Sequence, residues 1–411
     1  MLLDVVVRRL AVLSLHTSPL VQPGSGDSGG MNVYVRELVA SLAQAGVASD
    51  VYTRRWAHGL PHVVDVEPGF RVIHVAAGSP ELPKEALPGV VDQFADGVRA
   101  HLEDDVDALH ANYWLSGVAG HQLKHQLDLP LVSTFHTLAR VKAESGLPEE
   151  PEARLRAESE VVGCSDAILA NCDAEARQLV DLYGADPNRI ELVPPGVDHA
   201  FFSPGPRAGA RAALSHLRLG DGPVMLFVGR IQPLKSLDVA VRALAELRDP
   251  SAILVVVGGA SGADGDREVH RIHKLVAELG LTERVRFVPP QPHHLLSTYY
   301  RAADLVVVPS RTESFGLVAL EAAACGVPVV AAAVGGLRTL VKHGRTGFLV
   351  DDADPLAYAR HIETILGDAA LAADLSIDAA RRARDYTWST AAARLRRLYS
   401  DITAGSLVTC A

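Results

Sequence analysis

Short runs of aliphatic and β-branched residues alternate with longer amphipathic stretches along almost the whole chain. In the first half, RLAVLSLH, SDVYTRR, FRVIHVA, ALHANY, PLVSTFH, AILANC and IELVPPGV read as strands, and NVYVRELVASLAQAG reads as a helix. Apolar runs this short, with little polar alternation, are what strands buried on both faces look like. Interleaved with helical patterns, they predict a parallel sheet covered by helices. A Pro/Gly-rich segment, PPGVDHAFFSPGPRAGARAAL, interrupts the rhythm near residue 200, after which it restarts with PVMLFVG, AILVVVGG, RVRFVPP, LVVVPS, VPVVAAAVGG and GFLV. The expected fold class is α/β, with two Rossmann-like domains over residues 1–198 and 199–385 whose strand C-termini face a central cleft. The tail, 386–411, opens on YTWSTAAARLRRLYSDI, whose apolar positions recur at helical spacing.

A length of 411 residues suits two such domains. The formal charge of −10 argues against nucleic acid or an anionic membrane as partner, so cations gathered at one place should serve something small and anionic. No apolar run approaches the roughly 20 residues needed to span a bilayer. The four cysteines, Cys164, Cys172, Cys325 and Cys410, have no short paired spacing, and the N-terminus has no signal-peptide pattern. Together these features read as a reduced, cytoplasmic protein.

Three stretches carry candidate chemistry. The first is GDSGGMN, residues 26–32, placed between a strand ending at about Leu15 and a helix beginning near Asn32. Glycine there lets the backbone approach a ligand, and a helix N-terminus offers unpaired N–H groups to an anion. A Cβ at Gly30 is expected to intrude. The glycines lack the spaced dinucleotide fingerprint, which disfavours a nicotinamide cofactor. The second is FVGRIQPLK, which sets Arg230 and Lys235 just past a buried strand, where two cations can neutralise a diphosphate. The third is ESFGLVALE, in which Glu313 and Glu321 stand eight positions apart. A helix starting at about Phe315 would leave Glu313 in the loop and carry Glu321 on the same face. His136, in STFHTLA at a strand end, reads by its spacing more as a structural histidine than as a site residue. Asp105-Val106-Asp107 spells a D-x-D metal motif but precedes its strand, and reads as a solvated turn.

Taken in order, the glycine loop, VPPGVD, GRIQPLK and the E-x7-E pair resemble the family-4 retaining glycosyltransferases of the GT-B fold over nearly the whole chain. The resemblance implies two Rossmann-like domains with a C-terminal helix crossing back to the first. It also implies a nucleotide-sugar donor and no cofactor required for the chemistry. Arg230 and Lys235 would hold the donor diphosphate, Glu321 the ribose hydroxyls and Glu313 the transferred sugar, with Gln22, Pro23, Gly30 and Gln291 also reaching the donor. His136 would be a hydroxyl partner beside that sugar. LSLHTSPLVQPGSGDSGGMNVYV, HANYWLSG and TFHTLARVK are similar to the subfamily that transfers N-acetylglucosamine from UDP-GlcNAc to an inositol phosphate in mycothiol biosynthesis. In that subfamily Lys84, Tyr113, Thr137 and Arg154 would read the acceptor phosphate. His16, with Asp27, Ser28, Gly29, Gly30, Met31 and Asn32, would border the acceptor ring. Two cations and two hydroxyls suit a phosphomonoester. A structural magnesium would sit on main-chain oxygens of Tyr300, Arg301, Ala303 and Val327, although a threonine is usual at the last position. The segment between Lys142 and Arg154 is a few residues shorter than is usual.

Three alternatives stay open at this point: a sibling transferase with another acceptor, such as a hexose phosphate, a natural-product thiol or an aminocyclitol; a sugar-nucleotide 2-epimerase; and a non-catalytic sugar-nucleotide sensor. A homodimer is compatible with any of them.

Overall fold

The computed structural model describes residues 7–24, 26–146, 150–262 and 265–410. The chain divides into two compact units. The first comprises Met1–Val21, Met31–Pro195 and Trp388–Ala411, and the second comprises Gln22–Gly30 and Gly196–Thr387. The glycine loop therefore groups with the second unit, although in the chain it lies between elements of the first.

The first unit holds β1 (Arg9–Leu13), α1 (Gly30–Gln44), β2 (Ala48–Arg54), β3 (Val63–Glu67), β4 (Phe70–Val75), α2 (Val91–Ala100), β5 (Ala108–Asn112), α3 (Trp114–Leu127), β6 (Leu131–Thr134), α4 (Ala139–Glu144), α5 (Glu152–Cys164), β7 (Ala167–Ala170), α6 (Asp173–Tyr183) and β8 (Ile190–Leu192). Its sheet runs β3-β4-β2-β1-β5-β6-β7-β8. Every pairing is parallel except β3 with β4, which is antiparallel. Strand β3 is a departure from the parallel pattern expected of the sequence. It is an edge strand with both faces partly exposed, so VVDVE carries none of the continuous apolar signal that marks its neighbours. Strand β1 ends at Leu13 and α1 begins at Gly30, each two residues earlier than expected.

The second unit holds α7 (Arg207–Ala213), β9 (Val224–Val228), α8 (Leu237–Glu246), β10 (Ile253–Val257), α9 (Gly265–Glu278), β11 (Val285–Val288), α10 (Leu296–Ala302), β12 (Leu305–Val308), α11 (Leu317–Ala324), β13 (Val329–Ala332), α12 (Leu337–Leu340), β14 (Gly347–Val350), α13 (Pro355–Gly367) and α14 (Ala369–Ala383). Its sheet, β11-β10-β9-β12-β13-β14, is wholly parallel. Strands β10, β12 and β13 are buried along their whole length, and helices on the two faces supply the rest of the core. Among the described residues, no helix is long and apolar enough to cross a membrane.

The last helix, α15 (Trp388–Thr403), returns to the first unit. Its Tyr399 hydroxyl donates to Nδ1 of His110 at 2.7 Å, and Nε2–H of His110 donates to Thr134 Oγ1 at 2.8 Å. Arg394 and Arg396 add bonds to the carbonyls of Leu192 and Ala45. Burial pushes the His110 imidazole down to about 3, consistent with the neutral tautomer this chain of bonds requires.

Two sequence expectations need correction. Asp107 is not a solvated turn residue: its Oδ2 accepts the N–H groups of Arg8 and Arg9 at 2.6 and 3.0 Å, fixing the start of β1. Nor are all four cysteines reduced. Cys164 and Cys410 form a disulfide across 246 positions, a separation at which no spacing rule operates, while Cys172 and Cys325 are buried thiols outside any disulfide.

The buried histidine makes a pH prediction. His110 titrates near 6.5 when unfolded and near 3 when folded, so its contribution is complete above pH 6.5 and is lost progressively as pH falls through that window. Between pH 7 and pH 5 this one group should cost about 2 kcal/mol. Denaturant titrations at the two pH values should show His110→Gln losing about that much less stability than the wild type. Equal losses would contradict the assignment.

Candidate active site

Connectivity reverses direction between β1 and β5 in the first sheet, and between β9 and β12 in the second. In open α/β sheets, ligands bind outside the carboxyl ends of strands at such switch points. His16 follows β1, Tyr113 follows β5, and His136 and Thr137 follow β6. Arg230 and Lys235 follow β9, Gln291 follows β11, and Glu313 follows β12.

In the first unit the side chains converge on one ring. Tyr113 has φ of 75°, a left-handed backbone that a bulky residue adopts only at a cost of order 1–3 kcal/mol, and it caps the N-terminus of α3. His16 packs its ring 4.3 Å from the tyrosine ring, centroid to centroid. Lys84 Nζ lies 5.6 Å and Arg154 Cζ 5.2 Å from the same centroid, both in cation–π range. Arg154 also lies over Trp114 and donates through Nη2 to the carbonyl and hydroxyl of Thr137 at 3.3 Å. The structure thus brings together all four residues expected to read a phosphate, with His16 beside them.

Sequence reading missed what holds this cluster. Arg154 is only 3% exposed, and its Nε donates to Glu158 Oε1 at 2.8 Å, a carboxylate with no exposure at all. Its Nη1 meets Glu150 Oε1 at 2.9 Å, and Lys142 Nζ donates to the same oxygen at 2.6 Å. Burial opposes the arginine's charge, but Tyr113, Glu158 and Glu150 outweigh it and raise its pKa. The i, i+4 spacing of Arg154 and Glu158 on α5 was the available signal. Residues 147–149, in the shortened segment before Arg154, lie outside the described residues.

His136 also has a positive φ, 60°, and its Nε2–H donates to Asn112 Oδ1 at 2.9 Å. Burial, reinforced by His110, pushes its pKa down to about 3, so it is a neutral imidazole. Asn32 is committed within the fold: its amide donates to Thr17 Oγ1 and to the Ser18 carbonyl, both at 2.6 Å. Met31 packs against the core of the first unit.

The second unit assembles the other expected residues. Arg230 Nη1 donates to Ser261 Oγ at 3.1 Å and to the Gly26 carbonyl at 3.4 Å, and Ser261 Oγ donates to the same carbonyl at 2.6 Å. The glycine loop carrying Pro23, Asp27 and Ser28 is thereby tied to the loop after β10. Gln22 Nε2 donates to the Pro290 carbonyl at 2.8 Å, and Gln291 Nε2 to Pro289 at 2.9 Å. Lys235 Nζ pairs with Glu313 Oε2 at 2.5 Å, so the two residues assigned to diphosphate and sugar meet each other. Helix α11 starts at Leu317, not Phe315, after Gly316 at φ of 100°. Glu321 is buried, and each of its oxygens takes one protein donor at 2.7 Å: Tyr300 hydroxyl and, unforeseen, His293 Nε2. An ionised carboxylate keeps further lone pairs for other donors.

Within the protein itself the two loop glycines differ. A Cβ built on Gly30 would meet only Leu317 Cδ1 at 3.6 Å, an ordinary contact, whereas one on Gly29 would stand 2.9 Å from Arg230 Nε, the far end of a flexible side chain that would have to shift.

The main-chain magnesium set offers little to that ion. Tyr300, Arg301 and Ala303 lie at the end of α10 and Val327 in the turn before β13. The Tyr300 carbonyl already accepts Ala303 N–H at 3.0 Å, and the Arg301 guanidinium caps the carbonyls of Ser203 and Phe201 at 2.7 and 2.6 Å. The expected ligands are main-chain oxygens, and no step is derived through an ion there.

Two doubly wound units with a cationic pair, an E-x7-E motif and a polar, cationic cluster define a glycosyltransferase of the GT-B fold. Residues 28–201 match the family described as Glycosyltransferase Family 4, and residues 214–382 match Glycosyl transferases group 1. The chain belongs to glycosyltransferase family 4. It is 48% identical to the D-inositol 3-phosphate glycosyltransferase of Salinispora tropica, over 97% of this chain and 86% of that one. It is also 48% identical to the enzyme of the same name from Kineococcus radiotolerans, over 96% and 95%. Among solved structures, the sucrose-phosphate synthase of Thermosynechococcus elongatus superposes with a TM-score of 0.91 at 35% identity, over 97% of this chain and 99% of that one.

Gly29→Ala should displace the Arg230 guanidinium and lower transfer by about tenfold or more, with little change in unfolding midpoint because only a flexible side chain must move. Gly30→Ala meets only an ordinary contact within the protein, so it should leave the unfolding midpoint unchanged and lower transfer only where a substrate lies against residue 30. A wild-type initial rate in Gly29→Ala would contradict the Arg230 clash.

Proposed function

We propose that this chain is a retaining hexosyltransferase that moves N-acetylglucosamine from UDP-GlcNAc to 1D-myo-inositol 3-phosphate, the first step of mycothiol biosynthesis, in the cytoplasm. The observation that carries this reading is the convergence of Lys84, Arg154 and His16 on the Tyr113 ring, with Thr137 bonded to Arg154, a polar, cationic cluster that suits a phosphomonoester. The acceptor named for the Salinispora tropica and Kineococcus radiotolerans relatives supports the same reading.

The donor diphosphate meets Arg230 and Lys235, with the N-terminus of α8 just beyond. Displacing the Lys235–Glu313 pair frees the ammonium for phosphate and turns the carboxylate toward sugar hydroxyls. Both acids of the E-x7-E pair are committed to donor binding and neither serves as a nucleophile: Glu313, once released, takes sugar hydroxyls, and Glu321 is held by Tyr300 and His293. Retention is then best served by same-face substitution. The bond from the sugar's anomeric carbon to the diphosphate breaks as the bond to the acceptor hydroxyl forms. The departing β-phosphate takes the acceptor proton, and the two cations stabilise the charge it develops. His136, neutral, is suited to hydrogen bonding with a sugar hydroxyl rather than to acid catalysis at neutral pH. Side-chain cations supply the positive charge, so no cofactor is needed for the chemistry.

A hexose phosphate acceptor is the second reading, favoured by the likeness to sucrose-phosphate synthase. A mass-detected transfer assay, run in excess chelator, separates the two by offering inositol phosphate, inositol and fructose 6-phosphate. The wild type should turn over without divalent metal and prefer inositol phosphate by at least about 100-fold over inositol. Lys84→Ala should erase much of that preference by raising the acceptor KM. Equal use of inositol and its phosphate would overturn the phosphate site, and preference for the hexose phosphate would select the second reading.

A further inference from the structure

His121 and His125 stand one turn apart on α3, Cys164 closes α5, and Cys410 lies in the segment after α15, all within the first unit. One ligand-competent atom from each falls within 4.8 Å of all the others. The two imidazole Nε2 atoms are 3.0 Å apart, and Cys410 Sγ lies 3.1 Å from His125 Nε2 and 3.6 Å from His121 Nε2.

The disulfide between Cys164 and Cys410, with Cα atoms 4.9 Å apart, accounts for the sulfurs but not for the histidines. Two neutral ring nitrogens facing each other share a single proton, and a disulfide sulfur has none to give. Lone pairs crowd one point, and a cation is what such a point accommodates. With Zn–S of about 2.3 Å and Zn–N of about 2.0–2.1 Å, a tetrahedral zinc sets N···N near 3.3 Å and N···S near 3.6 Å, close to the separations seen. Two thiolates would together balance the 2+ charge of the ion, and a Cys2His2 donor set is borderline-soft, as zinc prefers.

An anchor independent of the sulfurs brings the two ends together. Asp166, two residues past Cys164, accepts the N–H of Val408, two residues before Cys410, at 2.6 Å. The same carboxylate accepts Lys124 Nζ at 2.8 Å and Leu131 N–H at 2.7 Å, and Lys124 also donates to the Cys164 carbonyl at 2.8 Å. The cluster is open to solvent on the His125 side, which gives an ion a way in.

We propose that with Cys164 and Cys410 reduced, these two cysteines and His121 and His125 bind one zinc ion that fastens the segment after α15 to the first unit, and that the disulfide is the metal-free, oxidised form of the same site. A small dithiol reduces the disulfide to two thiols and is itself oxidised to a disulfide. Zinc then displaces the two thiol protons. In reverse, a disulfide oxidant takes two electrons from the thiolates, the Cys164–Cys410 bond forms, and zinc leaves.

The test uses the full chain, reduced with a dithiol, desalted without oxygen and titrated with cobalt(II) as a visible probe, followed by zinc. The reduced protein should bind one equivalent of cobalt with the intense visible bands of tetrahedral thiolate coordination, and zinc should bleach them. The oxidised protein should show none. His125→Gln, an exposed helix position, and Cys410→Ser should each abolish the one-equivalent step while circular dichroism stays unchanged. No stoichiometric uptake by the reduced wild type would overturn the proposal. So would uptake that survives His125→Gln undiminished, which would put the ion at a site without that histidine.

Discussion

A buried cation organises the first unit. The Arg154 guanidinium is almost fully removed from water, and the fold neutralises it with Glu158, itself wholly buried, and with the half-buried Glu150. Leaving such a charge without its partner costs about 3–5 kcal/mol. The geometry of α4, α5 and the loop after β6 is therefore tied to one ion pair. Tyr113 supplies the other constraint: its left-handed backbone, set at the turn from β5 into α3, puts the ring among Arg154, Lys84 and His16. The aromatic ring already carries both cations over its faces.

The second unit uses the same economy with different groups. Lys235 and Glu313 neutralise each other, and Glu321 is satisfied by a tyrosine and a histidine. The loop carrying Glu313 is held by glycines: Gly336 N–H donates to the Glu313 carbonyl at 3.0 Å, and a Cβ on Gly335 would stand 1.9 Å from that oxygen. Charges that a substrate is proposed to engage are thus pre-paired, so binding exchanges one partner for another instead of burying a bare ion.

The strands of both sheets were legible because strands buried on both faces are written as unbroken apolar runs, and the loops after β9 and β12 stood out as charge beside such runs. What was not legible had no local signature. Strand β3 is an exposed edge, and the disulfide joins positions 246 apart. His293, Ser261, Glu150 and Glu158 look like any surface polar residue until the fold sets them against Glu321, Arg230 and Arg154. Gly29 and Gly30 are indistinguishable in sequence, and only the position of the Arg230 side chain separates them. The acceptor cluster was placed by resemblance, since nothing in the spacing of Lys84, Tyr113, Thr137 and Arg154 brings them together.

Glu150 offers the most direct check on the central claim, that the Arg154–Tyr113 cluster receives a phosphate. Its carboxylate sits on Arg154 Nη1 and on Lys142, where an incoming dianion would have to compete with it. The decisive measurement is the acceptor KM of Glu150→Gln with inositol phosphate and with inositol. The account predicts a KM for the phosphorylated acceptor lowered by about two- to tenfold, with no change for inositol. An unchanged or raised KM for inositol phosphate would contradict it.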